Sequence, residues 1–225
     1  MKSKKDIVSR RQRPAKAPLS RGAIVGAALD ILERDGLAGL SLRKVATALH
    51  TGPASLYVYL SNLAELHALM LDQALGEVNP AERPGAGWRE RLKALLLECF
   101  RVLYGRDGLA QVAMTVVPSG PGSLRIWERM LGLLREGGVS DERAAWGVDL
   151  LMLYVTAQAA EKSNWRAGGQ GPEHAEAALA AVSPAEYPRL HALRGMMLSG
   201  DGPERAEWGL DVLLDGISGH SRPAG

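Results

Sequence analysis

From Ser20 onward the apolar residues recur at spacings of three and four, the period of a helix face, and the runs are punctuated by Gly, Pro and Ser. Strict alternation of apolar and polar positions, the mark of a half-buried strand, is scarce. The pattern therefore predicts an all-α chain. One strand-like stretch, Gln111 to Val117, stands alone, and a solitary strand has no neighbour with which to satisfy its backbone groups. It is read as a short helix that ends before Pro118.

The first helix is predicted to start at Ser20 as N-cap, to turn Ile24, Ala28, Leu29, Ile31 and Leu32 inward, and to stop at Gly36. Ser41 caps a very short second helix over 42–49, in which Leu42, Val45, Ala46 and Leu49 fall at i, i+3, i+4 and i+7 on one face. After His50-Thr51-Gly52 a third begins with Pro53 at its first position and ends near Leu60. Asn62 and Glu65 form an N-cap and N3 pair that opens a longer helix through Leu66, Leu69, Met70 and Leu75. The segment Asn79 to Gly87 is too rich in Pro and Gly for helix or strand and marks a domain boundary. Beyond it helices are expected near 88–105, 107–117, 122–137, 140–167, 172–182, 184–198 and 203–219. Ser183, Pro184 and Glu186 read as N-cap, N1 proline and N3 acid of the helix over 184–198.

Two ten-residue segments, Glu142 to Leu151 and Glu204 to Leu213, match at seven of ten positions and share a Trp-Gly pair, Trp146-Gly147 and Trp208-Gly209. Two copies do not make a solenoid, but a glycine on each of two helices would let them approach closely. Convergence on a common amphipathic pattern is the alternative.

Composition narrows the class. Of 225 residues, 46% are hydrophobic and 23% charged, a balance that suits a globular protein and not a disordered one. No apolar run reaches the roughly 18 to 20 residues of a membrane span, and no apolar stretch of a secretory signal follows the basic N-terminus. The lone Cys99 lies in an apolar segment and cannot form an internal disulfide, which fits a reducing compartment. A soluble, cytoplasmic protein is the expectation. Charge is uneven: residues 1–21 hold eight Lys or Arg against one acid, a local +7, which leaves −5 on the remainder of a chain whose total is +2. The positive charge is a tail, suited to a phosphate backbone or an anionic surface. A merely solubilising terminus is the alternative.

The segment Ser41 to Leu60 has the dimensions of a helix-turn-helix: two short helices, a tight turn, and small Ala46 where steeply crossed helices must approach. On that reading Pro53, Ala54, Ser55 and Val58 sit on the outward N-terminal part of the second helix and read bases in a major groove. Tyr57 and Tyr59, with Arg43 and Lys44 on the preceding helix, are donors placed to hold phosphates. Arg11 or Arg13 of the arm would enter the neighbouring minor groove. The plain alternative is an ordinary αα-hairpin of a core.

These residues resemble the TetR/AcrR-type one-component regulators, in the branch nearest the tetracycline repressor. The resemblance runs from Ile24 to Leu66, through Gly36-Leu37, Leu40-Ser41-Leu42-Arg43-Lys44-Val45-Ala46 and Ser55-Leu56-Tyr57-Val58-Tyr59. It is weaker at Trp208 to Ile217, which looks like the family's final helix. It implies a three-helix DNA-binding head, a connecting helix, an all-helical ligand-binding body and a homodimer. The chain then divides into a basic arm (1–19), a DNA-binding head (20–66), a connecting helix and linker (67–87), an effector-binding and dimerisation body (88–219) and a tail (220–225). Three positions depart from the family pattern: His50 stands at the usual turn glycine, Tyr59 at the usual histidine, and Leu63 at the usual lysine. The last removes one phosphate contact per subunit.

In the body, Phe100, Tyr104, Met114, Trp127, Met130, Met152 and Tyr154, with Gln158 as a polar neighbour, are candidates to line a cavity for a bulky, mainly apolar effector. Plain core is the alternative. For the dimer, the helices carrying Trp146 and Leu150, and Trp208 and Leu213, are expected to pair across a two-fold axis as a four-helix bundle. The alternative places both tryptophans inside one subunit. An enzyme reading has little to rest on: the five histidines show no metal-ligand spacing with each other or with Cys99, and there is no G-x-S-x-G or P-loop. Neither cofactor nor metal is expected. A membrane-binding arm would want apolar anchors, and residues 1–18 offer only Ile7 and Val8 as large apolar groups. The expected partners are therefore double-stranded operator DNA, a small-molecule effector and a second copy of the chain, with no membrane.

Overall fold

The computed structural model describes residues 18–81, 84–168 and 171–219. Among these there are eleven α-helices, one 3₁₀ turn and no strand, so the chain is all-α as expected. Helix α1 (Arg21–Asp35) begins where Ser20 Oγ accepts the Ala23 N–H at 3.2 Å, and ends on Gly36, whose φ of +68° only glycine adopts freely. Helix α2 (Leu42–Ala48) is capped in the same way by Ser41 on the Lys44 N–H at 3.3 Å. It closes through paired bonds from Thr51 N to Ala46 O (2.9 Å) and His50 N to Thr47 O (3.0 Å), a left-handed C-terminal motif that puts His50 at φ +51°.

Helix α3 (Pro53–Leu56) is a single turn and not the longer helix expected to reach Leu60. Tyr57, Val58 and Tyr59 lose side-chain freedom in a helix, and the chain leaves it with the Tyr59 and Leu60 N–H groups both on the Leu56 carbonyl, at 2.9 and 3.1 Å. Helix α4 (Leu63–Leu75) starts on Asn62, which accepts the Glu65 N–H at 2.9 Å. Glu65 reaches back to the Ser61 N–H at 2.6 Å, one residue before the N-cap, and that bond holds its carboxyl below the usual range.

The body follows as α5 (Trp88–Gly105), α6 (Leu109–Ala113), α7 (Pro121–Glu136), α8 (Asp141–Arg166), α9 (Pro172–Ala180), α10 (Pro188–Met197) and α11 (Gly202–Gly219). Helix α6 is shorter than expected: it starts from left-handed Gly108 at φ +81° and gives way to β-branched Thr115, Val116 and Val117 before Pro118. Helix α10 starts at Pro188, not at 184. A helix begun at Pro184 would meet Pro188 four residues on, where the ring clashes with the preceding turn and the N–H is missing, so Ser183 to Glu186 form a turn and Tyr187 becomes the N-cap.

Helix α5 packs most extensively on α8 and α7, while α4 lies between α1 on one side and α5, α6 and α7 on the other. Buried residues of head and body, from Ile24, Leu32 and Leu56 through Leu66 and Met70 to Leu96, Met130 and Leu151, form one contiguous cluster. The connecting helix is therefore cored on both sides. Its Asp72 also caps α7: Oδ1 accepts the Ser123 N–H at 3.0 Å and the Ser123 hydroxyl at 3.3 Å.

The two Trp-Gly pairs share a geometry. A Cβ on Gly147 would stand 3.1 Å from Ile217, and one on Gly209 would overlap the Tyr154 hydroxyl, so each glycine sits in the α8–α11 contact. Helix α11 is further strapped to α5, with Arg89 on Asp215 (2.6 Å) and Asp211 (3.2 Å), and Lys93 on Glu207 (2.8 Å) and Asp211 (3.0 Å).

Candidate functional site

The two short helices of the head present an exposed edge. Leu56 is fully buried and anchors α3, while Pro53 and Ala54 beside it are exposed, Ser55 is half-buried, and Tyr57 and Val58 are left 58% and 80% exposed. Arg43 is exposed on α2, the helix that packs against α3. Lys44 is exposed but tethered: its ammonium lies 3.3 Å from Asp35, whose carboxyl is held at about 2, first by the hydrogen bond from Arg34 and then by Lys44. Tyr59 is only half-exposed, packs against the head core, and accepts the Arg21 Nε–H on its carbonyl at 2.8 Å. The structure thus leaves Arg43, Pro53, Ala54, Tyr57 and Val58 exposed on the packed α2–α3 pair and its exit, half-buries Ser55, and draws Tyr59 toward the core. Arg11 and Arg13 lie outside the described residues.

By charge alone Arg21 belongs with the basic arm. In the fold it bridges the Tyr59 carbonyl and Glu65, the latter at 3.5 Å, and braces α1 against the start of α4. The signal for this was its position directly after an N-cap, inside a helix.

In the body, the Phe100 and Tyr104 rings stack at 5.5 Å, and the Arg166 guanidinium covers the Tyr104 ring at 4.3 Å. Met130 is fully buried, and Trp127 and Met152 are half-buried against the chain's core, on α7 and α8, the two helices on which α5 packs most extensively. Gln158 is half-buried on α8. Met114 is not part of this group: it is half-exposed just past α6. Tyr154 faces α11, with its hydroxyl 3.3 Å from the Ala206 carbonyl, and burial pushes its phenol up. Gln111 and Ser163 escaped sequence reasoning. Gln111 donates to Asn164 at 2.7 Å, while its own carbonyl oxygen and the Ser163 hydroxyl are buried without a partner. Ser163 continues the buried stripe Leu151, Val155, Ala159, and that spacing was its available signal.

The tryptophans of the repeated segment stand on the surface, Trp146 at 64% and Trp208 at 70% exposure. With Leu150 and Leu153, Trp146 forms an exposed stripe at i, i+4 and i+7 on α8, and Val212 extends Trp208 on α11. Leu213 is half-buried against the chain's own core. Leu153 and Val212 are the stripe residues that sequence reasoning missed. Among the described residues no helix is long and apolar enough to cross a membrane.

Two short helices joined by a tight turn within a three-helix head, connected through one helix to an all-helical body, have the architecture of a one-component helix-turn-helix regulator. The family profile of the tetracycline repressor-like C-terminal domain matches residues 79–220. A transcriptional repressor of Streptomyces coeruleorubidus, DrrR1, is 34% identical over 152 residues, 66% of this chain and 56% of that protein. A helix-turn-helix transcriptional regulator of Saccharopolyspora erythraea is 31% identical over 181 residues, 80% of this chain and 77% of its own. Among solved structures, the TetR family protein ActR of Streptomyces coelicolor in complex with actinorhodin superposes with a TM-score of 0.81 at 37% identity, covering 91% of this chain and 100% of that one. The chain belongs to the TetR family of transcriptional regulators, not to an enzyme family.

Proposed function

We propose that the chain is a repressor that binds a two-fold operator as a homodimer and is released by a bulky, mainly apolar effector. The observation that carries this reading is the α2–α3 pair, where buried Leu56 fixes a one-turn helix whose Pro53 and Ala54 are uncovered, as are Tyr57 and Val58 just after it and Arg43 on α2. Pro53, Ala54, Ser55 and Val58 read bases, and Arg43 and Tyr57 hold phosphates. Lys44 reaches a phosphate only by leaving Asp35, an exposed pair of small worth. With Leu63 uncharged at the start of α4, the basic arm with Arg11 and Arg13 supplies the missing backbone contact.

The exposed stripe Trp146, Leu150 and Leu153, continued by Trp208 and Val212, supports a dimer through α8 and α11, since a two-fold axis buries such a patch against its own copy. The region of Phe100, Tyr104, Trp127, Met130, Met152 and Gln158 takes the effector, a reading supported by ActR, whose structure contains actinorhodin. An effector that moves α7 also moves α4 through the Asp72 cap, and so changes the spacing of the two reading edges. The head over 20–66 and the body over 88–219 are then reader and sensor, with 67–87 between them.

Sedimentation and DNA binding of the full chain test this together. Leu150→Glu and Val212→Glu yield helical monomers that lose operator binding, Val58→Ala alters preference at particular bases, and Arg43→Ala weakens binding evenly. Removal of residues 1–18 flattens the salt dependence by roughly 0.9 in slope per lost phosphate contact. Variants that stay dimeric, or a uniform loss from every substitution, overturn the assignment.

A further inference from the structure

A cleft of about 590 Å³ opens where the end of α4 meets α5 and α7, apart from the aromatic region assigned to the effector. That volume falls in the range of roughly 300 to 1,000 Å³ typical of small-molecule sites. Val78, Pro121 and Leu124 give it an accessible apolar wall over buried Leu75 and Leu95, and Arg125, Arg129 and Glu128 of α7 supply its charge, a net of one positive. The Arg125 guanidinium reaches the C-terminal end of α4, 3.4 Å from where a Cβ on Gly76 would stand. Among the described residues neither Arg125 nor Arg129 has a carboxylate within ion-pair distance. Most other arginines near the helix junctions of this body are paired, Arg89 with Asp211 and Asp215, Arg91 with Glu136, Arg106 with Glu77.

Two guanidiniums with no ion-pair partner among the described residues, beside an apolar wall, match one ligand chemistry: an apolar body that carries a carboxylate. Guanidinium takes a carboxylate through charge-assisted, frequently bidentate hydrogen bonds, and the leucine and valine side chains take the rest of the molecule. We propose that the α4–α5–α7 cleft is a second small-molecule site, for an apolar monocarboxylate, with Arg129 and Arg125 as its anion-binding residues. Its walls include Gly122 and Leu75, which flank the Asp72 cap, so a molecule bound there touches both halves of the α4–α7 contact.

The experiment is calorimetric titration of the full-length protein, without DNA, with 2-naphthylacetate, its uncharged alcohol analogue and inorganic phosphate. Naphthylacetate binds, and the alcohol and phosphate each bind at least roughly tenfold more weakly, because each lacks one half of the recognition. Arg129→Gln and Arg125→Gln each weaken naphthylacetate by roughly tenfold and leave the alcohol unaffected, and Arg129→Lys loses less. Val78→Trp, which fills the cleft from its rim, abolishes binding, with circular dichroism to confirm that each variant is folded. The proposal is overturned if naphthylacetate gives no heat at millimolar concentration, if alcohol or phosphate binds as well as the acid, or if folded glutamine variants bind like the parent. Because no DNA is present, its failure leaves the operator reading untouched, and the converse holds as well.

Discussion

Helix α7 starts on Gly120, which has no side chain to cap it, and the acceptor for its Ser123 comes from a different helix fifty-one residues before that serine. Asp72 of α4 takes both the backbone N–H and the hydroxyl of Ser123, a residue 1% exposed. Two glycines make room for it: a Cβ on Gly120 would overlap the Asp72 carboxylate, and one on Gly122 its backbone carbonyl. Replacing Asp72 with Ala removes a cap worth about 1 kcal/mol and leaves the buried Ser123 donors without an acceptor, which adds about 1 kcal/mol more. The expected loss is about 2 kcal/mol, or roughly 4 to 8 °C in Tm for a chain of this size. Asp72→Asn keeps an acceptor oxygen and loses only the charge, about 0.5 to 1 kcal/mol. Urea denaturation at fixed dimer concentration measures both, and a double-mutant cycle with Ser123→Ala isolates the hydroxyl. A loss below about 0.5 kcal/mol for Asp72→Ala, or equal losses for Ala and Asn, would refute the capping argument.

Three further outcomes are expected. His50→Gly is more stable than His50→Ala by about 0.5 to 1 kcal/mol, since the left-handed backbone costs a side chain roughly 1 to 2 kcal/mol and glycine's extra unfolded freedom offsets about half of that; an alanine variant at least as stable in thermal melts contradicts it. Asp211 sits below the ordinary carboxylate range, first through the Lys93 hydrogen bond and then through Arg89. A lowered pKa contributes stability above the unfolded value near about 4 and loses it as pH falls through the folded value. Asp211→Asn therefore costs about 0.5 kcal/mol at neutral pH in this partly exposed site, and the gap closes in acid; a gap unchanged across an acid titration rules this out. Burial pushes the Cys99 thiol up to about 12, so it resists a thiol reagent at mildly alkaline pH until the chain unfolds, and prompt labelling of the native protein contradicts that.

What could be read from the sequence was chemistry that acts within one turn. Ser20, Ser41 and Asn62 cap the helices they precede, and Gly36 ends α1, because each of these needs only its own neighbours. Where two local signals competed, sequence reasoning chose the first: Pro184 reads as a helix start until Pro188 is weighed against it. Side-chain direction was harder. Leu213 and Val212 are one residue and about 100° apart on α11, and periodicity alone did not say which faces its own core. Tyr154 groups with the body aromatics in the sequence because nothing local shows that Gly209, far along the chain, makes a seat for its hydroxyl. The Asp72 cap and the Gln111–Asn164 bond are contacts between distant helices and leave no pattern in the sequence at all.

Selection of bound sequences from a random double-stranded DNA pool by the full-length protein addresses the central claim most directly. If α3 reads the major groove in a two-fold dimer, the pool converges on an inverted repeat whose half-sites lie about one helical turn, or a whole multiple of it, apart. The same selection with Val58→Ala shifts the preferred bases symmetrically in both half-sites. A pool that shows no enrichment, or that converges on a single unrepeated site unaffected by Val58→Ala, contradicts the reading of α2–α3 as the DNA-recognising edge of a homodimer.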